Sequence, residues 1–142
     1  ATVIYTITVA GKPEPAGSKR AFVPKGWTRA VVTDANAKAT PWKRMVAACA
    51  EEQAGRVVLE GPLKLTVVFE LARPKGHLGK NGVRASAPAH PTVKPDATKL
   101  LRGVEDALTG ILWRDDAQIV EQHVTKRYTE LAPLTTITVE TL

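Results

Sequence analysis

The sequence predicts a single α+β domain in which one mixed β-sheet packs against two main helices. Three observations point to this class. Several short segments alternate apolar and polar residues, as half-buried strands do. Two other segments repeat apolar residues at helical spacing, and the predicted order is strand, helix, strand, helix, strand, strand. The chain has 142 residues, enough to bury one core, so we assign residues 1–142 to a single domain.

The first half of the chain contains one predicted strand, one long loop and one helix. Residues 2–9 alternate, which predicts a strand. Residues 11–33 combine Gly, Pro and charge without a steady period, which predicts a loop. We expect a helix with Thr40 at its N-cap, Pro41 at its first helical position and Gly55 at its end. Its predicted buried stripe is Trp42, Met45, Val46 and Cys49.

The second half of the chain contains a second long loop and a second helix. Residues 73–93 carry several basic residues and no acid, which fits either a solvated, mobile loop or a flexible arm that orders on a phosphate backbone. We favour the arm, because the first long loop has the same basic bias. A helix is predicted over residues 98–108, capped by Asp96 or Thr98 and ended by Gly110. The remaining strands are predicted at residues 63–71, 117–128 and 134–140.

The composition indicates a nucleic-acid-binding class. Twenty Lys and Arg against fourteen Asp and Glu give a net charge of +6 and a pI near 9.7. Aromatic residues make up only 5% of the chain, which argues against a general RNA- or single-strand-binding domain. The lone Cys49 excludes an internal disulfide and a Cys-based zinc site, and it fits a reducing cytoplasm. We expect no nucleotide cofactor, because P-loop and dinucleotide fingerprints are absent, and no membrane segment, because apolar runs are short.

Acids at both ends of the second helix stand out in this basic chain. Asp96 precedes the helix, and Asp115 and Asp116 follow it. Hydrolysis of a phosphodiester needs charge stabilisation at phosphorus and an activated water, which one or two Mg²⁺ ions held by two or three acids supply. These acids can meet if the next strand returns beside the start of the helix. Alternatively, Asp96 is only an N-cap, Asp115 and Asp116 are turn residues, and Asp106 pairs with Arg102 across one helical turn.

The residues around this helix also carry a family resemblance. Lys94-Pro95-Asp96, Leu100, Asp106-Ala107-Leu108 and Asp115-Asp116-Ala117-Gln118-Ile119-Val120 follow one another in a recognisable order. This segment resembles the RusA family of Holliday junction resolvases, found in bacteria, prophages and phages. Gly11-Lys12-Pro13 and Trp42 look like the N-terminal half of the same family.

The resemblance implies a RusA-like homodimer that binds four-way junction DNA in the cytoplasm of a bacterial host. Such an enzyme makes paired nicks with Mg²⁺, for which Mn²⁺ can substitute, in DNA recombination and repair. By motif position, Asp96, Asp115 and Asp116 are metal-binding and catalytic, and Arg102 stands where the family has an essential Lys. We expect DNA contacts from the basic residues of the two long loops and the motif, namely Lys94, Lys99, Arg73, Lys75, Lys80, Arg84, Lys19 and Arg20.

One departure from the family pattern concerns the metal site. Thr98 stands where the family has its second acid, and Lys99 where it has Asn. Three outcomes follow: the site works with fewer acids, Glu105 or Asp106 substitutes, or the protein binds junctions without cutting them. Glu105 lies seven positions beyond Thr98, about 10 Å along the helix axis, which is too far for direct replacement. A junction-binding protein without nuclease activity is therefore the main alternative function.

Overall fold

The structure is a computed structural model that describes residues 2–17, 19–34 and 36–142. The side chains of residues 19–21 and 31–34 lie outside the described part. Along the chain the elements are β1 (Ile4–Ala10), β2 (Lys19–Phe22), β3 (Val31–Asp34), α1 (Ala39–Ala54), β4 (Leu63–Ala72), β5 (Leu78–Gly79), β6 (Gly82–Val83), α2 (Ala97–Leu108), β7 (Ile119–Thr129) and β8 (Leu134–Thr141). Short 3₁₀ helices cover Lys75–His77 and Asp116–Gln118.

The central sheet has four strands in the order β1-β8-β4-β7. Strand β8 pairs antiparallel with both β1 and β4, whereas β4 and β7 pair in parallel. A parallel pair requires a crossover, and α2 lies within the one that joins β4 to β7. The predicted mixed α+β architecture with two main helices is therefore confirmed.

The core lies between one face of this sheet and the two helices. Alternate residues of β4 (Leu63, Leu65, Val67 and Phe69) are fully buried, as the alternating pattern predicts. They pack against both helices through a single hydrophobic cluster. The helical members of that cluster include Trp42, Val46, Leu100, Val104 and Leu108. No helix in the described part of the chain is both long enough and apolar enough to cross a bilayer.

A register shift between Leu63 and Lys64 decides which side of β7 faces α2. Beyond the shift, Leu65 pairs with Gln122 and Phe69 with Lys126. Residues paired across neighbouring strands point to the same face of a sheet. The shift therefore turns two polar β7 side chains towards the face that carries α2.

Both predicted long loops contain short strands, so those two predictions are wrong. Residues 11–33 include most of the β2–β3 hairpin, in which Phe22 pairs with Val31. Residues 73–93 include a 3₁₀ turn and the two-residue strands β5 and β6. Strands of two to four residues are too short to show a period, and their pairing is long-range, which explains why the sequence pattern missed them.

Helix α1 begins one residue before the predicted cap. Lys38 occupies the N-cap position, and Thr40 lies inside the first turn, so the assignment of Thr40 as cap is wrong. Ala39, the first helical residue, is fully buried. The end at Gly55 is confirmed, with φ of 77° at that glycine. Met45 is 51% exposed, so its predicted place in the buried stripe of α1 is wrong.

Helix α2 begins at the predicted cap. The backbone N–H of Lys99 donates to Asp96 Oδ1 at 2.9 Å. The segment before α1 passes closely along this helix, because Ala16 N donates to the carbonyl of Lys99 at 3.0 Å. Gly103 makes that approach possible: a Cβ there would lie 3.3 Å from the carbonyl oxygen of Glu14. The contact keeps residues 12–16 beside the start of α2.

Candidate active site

Asp96 is exposed at the N-terminus of α2, and the segment before it is tied to the sheet. Lys126 of β7 donates from Nζ to the carbonyl oxygens of Val93 at 3.0 Å and Pro95 at 2.9 Å. The Lys94–Pro95 peptide bond is cis. An inward-facing lysine therefore fixes the backbone that presents Asp96.

Basic side chains surround Asp96. A cavity of about 310 Å³ is lined by Asp96, Lys94 and Lys99, together with Lys12 and Glu14 from the segment that follows β1. The three lysines outnumber the two carboxylates. The helix N-terminus adds a partial positive charge. This end of α2 is therefore suited to a phosphate group.

Asp115 and Asp116 lie in the 3₁₀ turn that leads into β7. Asp115 Oδ1 accepts from the backbone N–H of Ala117 at 2.8 Å, and Gln118 Oε1 accepts from the N–H of Asp115 at 3.0 Å. These reciprocal bonds form a capping box. Gln118 Nε2 also donates to the carbonyls of Leu59 and Gly61. One oxygen of Asp115 is thus used to build the turn that presents Asp116 to solvent.

Glu105 lies within electrostatic reach of Asp116. Partial burial raises the pKa of Glu105 above its ordinary range, and the negative charges of Asp116 and Asp106 raise this pKa further. Two interactions lower it: Gln122 Nε2 donates to Glu105 Oε2 at 3.0 Å, and the Arg102 guanidinium is nearby. We call Arg102, Glu105, Asp116 and Gln122 the Glu105 cluster.

Asp106 connects the two helices. Its Oδ2 lies 3.1 Å from Nζ of Lys43 in α1. The sequence offered an ion pair between Asp106 and Arg102 on the same helix. In the structure, Asp106 forms its ion pair with Lys43 of α1. Asp106 is therefore oriented towards α1, although its charge still acts on Glu105.

The two groups of acids lie at opposite ends of α2. Asp96 and Glu105 are nine positions apart, which corresponds to roughly 14 Å along a helix axis. Among the His, Cys, Asp and Glu side chains that the structure describes, no three lie close enough together to hold one metal ion. The joint binding of a metal by Asp96, Asp115 and Asp116 therefore stays a prediction.

The expected DNA-binding residues divide by location. Lys94 and Lys99 are exposed beside Asp96, and Lys75, Lys80 and Arg84 are exposed around the β5–β6 hairpin. Arg73 is instead partly buried. Its guanidinium lies 4.5 Å from the centre of the Tyr128 ring, and Nη1 donates to the carbonyl of Pro88 at 2.7 Å. The side chains of Lys19 and Arg20 lie outside the described residues.

Sequence reasoning did not find Gln122, Lys126 or Tyr128. All three belong to β7 and face α2 or its leading segment. Their only sequence signal is the alternation of β7, and assigning its faces requires the register shift near Leu63.

Comparisons with known proteins identify the family of this chain. Residues 12–140 match the family described as Endodeoxyribonuclease RusA, which is nearly the whole chain. The chain is also 30% identical over 126 residues to the uncharacterized protein YqaN of Bacillus subtilis strain 168, covering 87% of each sequence. The chain belongs to the RusA endodeoxyribonuclease family. The predicted resemblance is confirmed, and the class of protein is a nuclease that acts on DNA.

Proposed function

We propose that this protein is a divalent-metal-dependent endonuclease that resolves four-way (Holliday) DNA junctions by paired, symmetric nicks. The observation that carries the proposal is the match of residues 12–140 to the RusA endodeoxyribonuclease family, together with the exposure of Asp96, Arg102 and Asp116 along α2 and the turn that follows it. Exposed acids in a chain of net charge +6 are consistent with a role at a phosphodiester.

The Glu105 cluster offers a fit for the expected metal. Mg²⁺ retains several waters and is commonly bound by only one or two protein carboxylates. Glu105 and Asp116 repel one another, and partial burial of Glu105 strengthens that repulsion. A bound cation relieves both effects. We therefore propose that Glu105 and Asp116 hold Mg²⁺ or Mn²⁺, with the free oxygen of Asp115 as a further ligand. Asp96 lies roughly 14 Å from Glu105 along the helix axis, too far to share that ion, and stands instead beside the phosphate-binding lysines.

The side chains around the proposed metal have separate roles. When bound, the metal supplies an activated water and stabilises charge at phosphorus. Arg102, one turn before Glu105 on α2, donates to a phosphate oxygen, which its planar guanidinium suits. Lys94 and Lys99 bind the backbone phosphate at the other end of the helix. Gln122 orients the carboxylate of Glu105 through its hydrogen bond.

The position of Glu105 favours one of the three outcomes expected from the loss of an acid at Thr98. Glu105 does not replace Thr98 in place, because nearly two helical turns separate them. It instead adds a carboxylate next to Asp116, at the far end of α2. In this proposal the carboxylate missing at position 98 is replaced by one further along α2, so the number of acids is not reduced.

A homodimer completes the proposal. Symmetric nicking requires two active sites related by a two-fold axis, and a two-fold dimer matches the symmetry of a four-way junction. Each subunit then cuts one of two opposing strands.

A second function is supported by the same site. Described acids form no group of three, and Thr98 lacks a carboxylate. A protein that recognises junctions by charge and shape without cutting them fits these two facts.

Cleavage of a synthetic four-way junction separates the two functions. We expect wild type with Mg²⁺ to nick opposing strands, and Asp116→Asn to bind with similar affinity but cut at least tenfold more slowly. Glu130→Gln is the matched control, because it removes an exposed carboxylate from the β7–β8 turn, at the other end of β7 from Asp116. If wild type and Asp116→Asn bind tightly and are equally inert, the junction-binding function stands and the nuclease is refuted.

A further inference from the structure

A second cavity adjoins the one beside Asp96. It measures about 250 Å³, and both cavities are lined by Lys12, Pro13, Lys94 and Pro95. They therefore form one groove, which we call the proline groove. It runs from Asp96 at one end to Tyr128 of β7 at the other.

The end of the groove that is far from Asp96 is apolar and rigid. Its walls include Pro74, Pro91 and Pro133, whose rings restrict the backbone, and the side chain of Leu71. Tyr128 supplies an aromatic surface. Such walls hold their shape without a ligand, because few of their side chains have alternative rotamers.

The orientation of Tyr128 is fixed from outside the groove. The guanidinium of Arg73 lies over its ring at 4.5 Å, and the ring of His77 meets it edge-on, with centroids 5.3 Å apart and planes at 87°. Arg73 is in turn bound to the carbonyl of Pro88. The aromatic wall of the groove is therefore held in place by two neighbouring side chains.

The middle of the groove is cationic and equally fixed. Lys12 and Lys94 line both cavities, whereas Lys126 holds the carbonyls of Val93 and Pro95 from beneath. Pro13 is buried, which secures the opposite wall. The apolar, aromatic end of the proline groove therefore lies directly beside Lys12 and Lys94, and the other end of the groove lies at Asp96.

We propose that the proline groove binds one unstacked nucleobase of the DNA substrate, with its adjoining phosphate on Lys12 and Lys94. A nucleobase has an apolar face that stacks on aromatic and apolar side chains, and its backbone carries the charge that lysines bind. At about 250 Å³ the apolar end of the proline groove is smaller than the cavities that accept drug-sized ligands, and its size suits a single nucleobase.

The proposal rests on the junction-cleaving function and adds a specificity determinant to it. Bases at the crossover of a four-way junction have fewer stacking partners than bases within a duplex, so extruding one is less costly there. A base held in the groove places its phosphate between the lysines and Asp96. The groove therefore selects where along the strand the junction is engaged.

Binding to junctions with one missing base tests the proposal. The probes are four-way junctions that carry a single abasic nucleotide, scanned across positions flanking the crossover, with Ca²⁺ in place of Mg²⁺ at fixed salt. We expect wild type to lose roughly fivefold or more in affinity at one position and little elsewhere. Val93→Phe, which fills the groove from its exposed rim, binds the intact junction as weakly as that abasic junction.

Two further variants separate the groove from other effects. Val120→Phe is the matched control, because Val120 is equally exposed on β7 but does not line the groove; it retains wild-type discrimination. Lys94→Gln weakens binding to intact and abasic junctions alike, because a phosphate contact is lost.

Three outcomes decide between the proposals. Tight junction binding that is insensitive to every abasic position overturns the groove and leaves the proposed function intact. Discrimination that persists in Val93→Phe also overturns the groove. Failure of wild type to bind any junction overturns the proposed function and the groove together.

Discussion

Gln122 of β7 donates from its amide to the carboxylate of Glu105 on α2, at 3.0 Å. This bond joins the edge strand of the sheet to the last turns of the helix. It exists because the register shift near the start of β4 turns Gln122 towards α2. Through this bond, the carboxylate of Glu105 is kept within electrostatic reach of Asp116.

Replacing Glu105 by Gln tests whether this residue belongs to the catalytic set. The substitution keeps the size of the side chain and removes its charge. We expect cleavage of a four-way junction to fall at least tenfold with Mg²⁺ while affinity for the junction is unchanged or slightly increased. Cleavage is measured under single-turnover conditions. Full activity in Glu105→Gln would show that this carboxylate binds no catalytic metal.

Thr98→Asp tests the consequence of the missing family acid. Thr98 is exposed in the first turn of α2, so a carboxylate there is favoured by the helix dipole by about 0.3–1 kcal/mol. We expect a slightly higher Tm and cleavage close to the wild-type rate even at low Mg²⁺, because the new carboxylate lies beside Asp96 and nearly two helical turns from Glu105. Thr98→Asn is the control, since it is similar in size and uncharged. Slower cleavage than wild type would mean that Thr98 itself is required.

The positions of α2 and β4 followed from local sequence patterns. The cap at Asp96 and the alternation over 63–71 are properties of neighbouring residues, and both appear as expected. The inward placement of Lys126 did not follow, because it depends on a one-residue shift between β4 and β7. A shift of one residue exchanges the two faces of a strand, and the sequence of β7 alone contains no signal that predicts the shift.

The distance between Asp96 and Asp116 could not be predicted from the sequence either. Asp96 and Asp116 flank the same helix, and their separation depends on how β7 runs beside it. Because Lys126 lies at the start of α2 and Gln122 near its end, β7 runs antiparallel to the helix. The strand therefore begins at the far end of α2 from Asp96, and Glu105 becomes the neighbour of Asp116.

Trp27 should report DNA binding by the β2–β3 hairpin. Of the three tryptophans, Trp27 is 60% exposed, whereas Trp42 and Trp113 are 5% and 0% exposed. Acrylamide should quench one accessible component of the fluorescence, and junction DNA should protect it because the hairpin is basic. Trp27→Phe removes the quenchable component. Unchanged quenching in the presence of saturating junction would exclude the hairpin from the DNA interface.

Gly103→Ala should destabilise the fold although alanine favours helices. The new Cβ would lie 3.3 Å from the carbonyl oxygen of Glu14. That segment cannot easily retreat, because Ala16 is bonded to the carbonyl of Lys99. We expect a net loss of about 1 kcal/mol in the free energy of unfolding. Gly76→Ala, at a site with open space, is the control. A stabilised Gly103→Ala would show that residues 12–16 do not pack against α2.

In the proposed function, two coupled active sites resolve a four-way junction. A supercoiled plasmid with an extruded cruciform measures this directly, because two nicks within one encounter give a linear product and a single nick gives an open circle. With Mg²⁺ we predict linear plasmid as the first product, cut symmetrically across the cruciform, and no cutting by Asp116→Asn. Open circle as the main product, or supercoiled plasmid that stays uncut despite tight binding, would contradict the account.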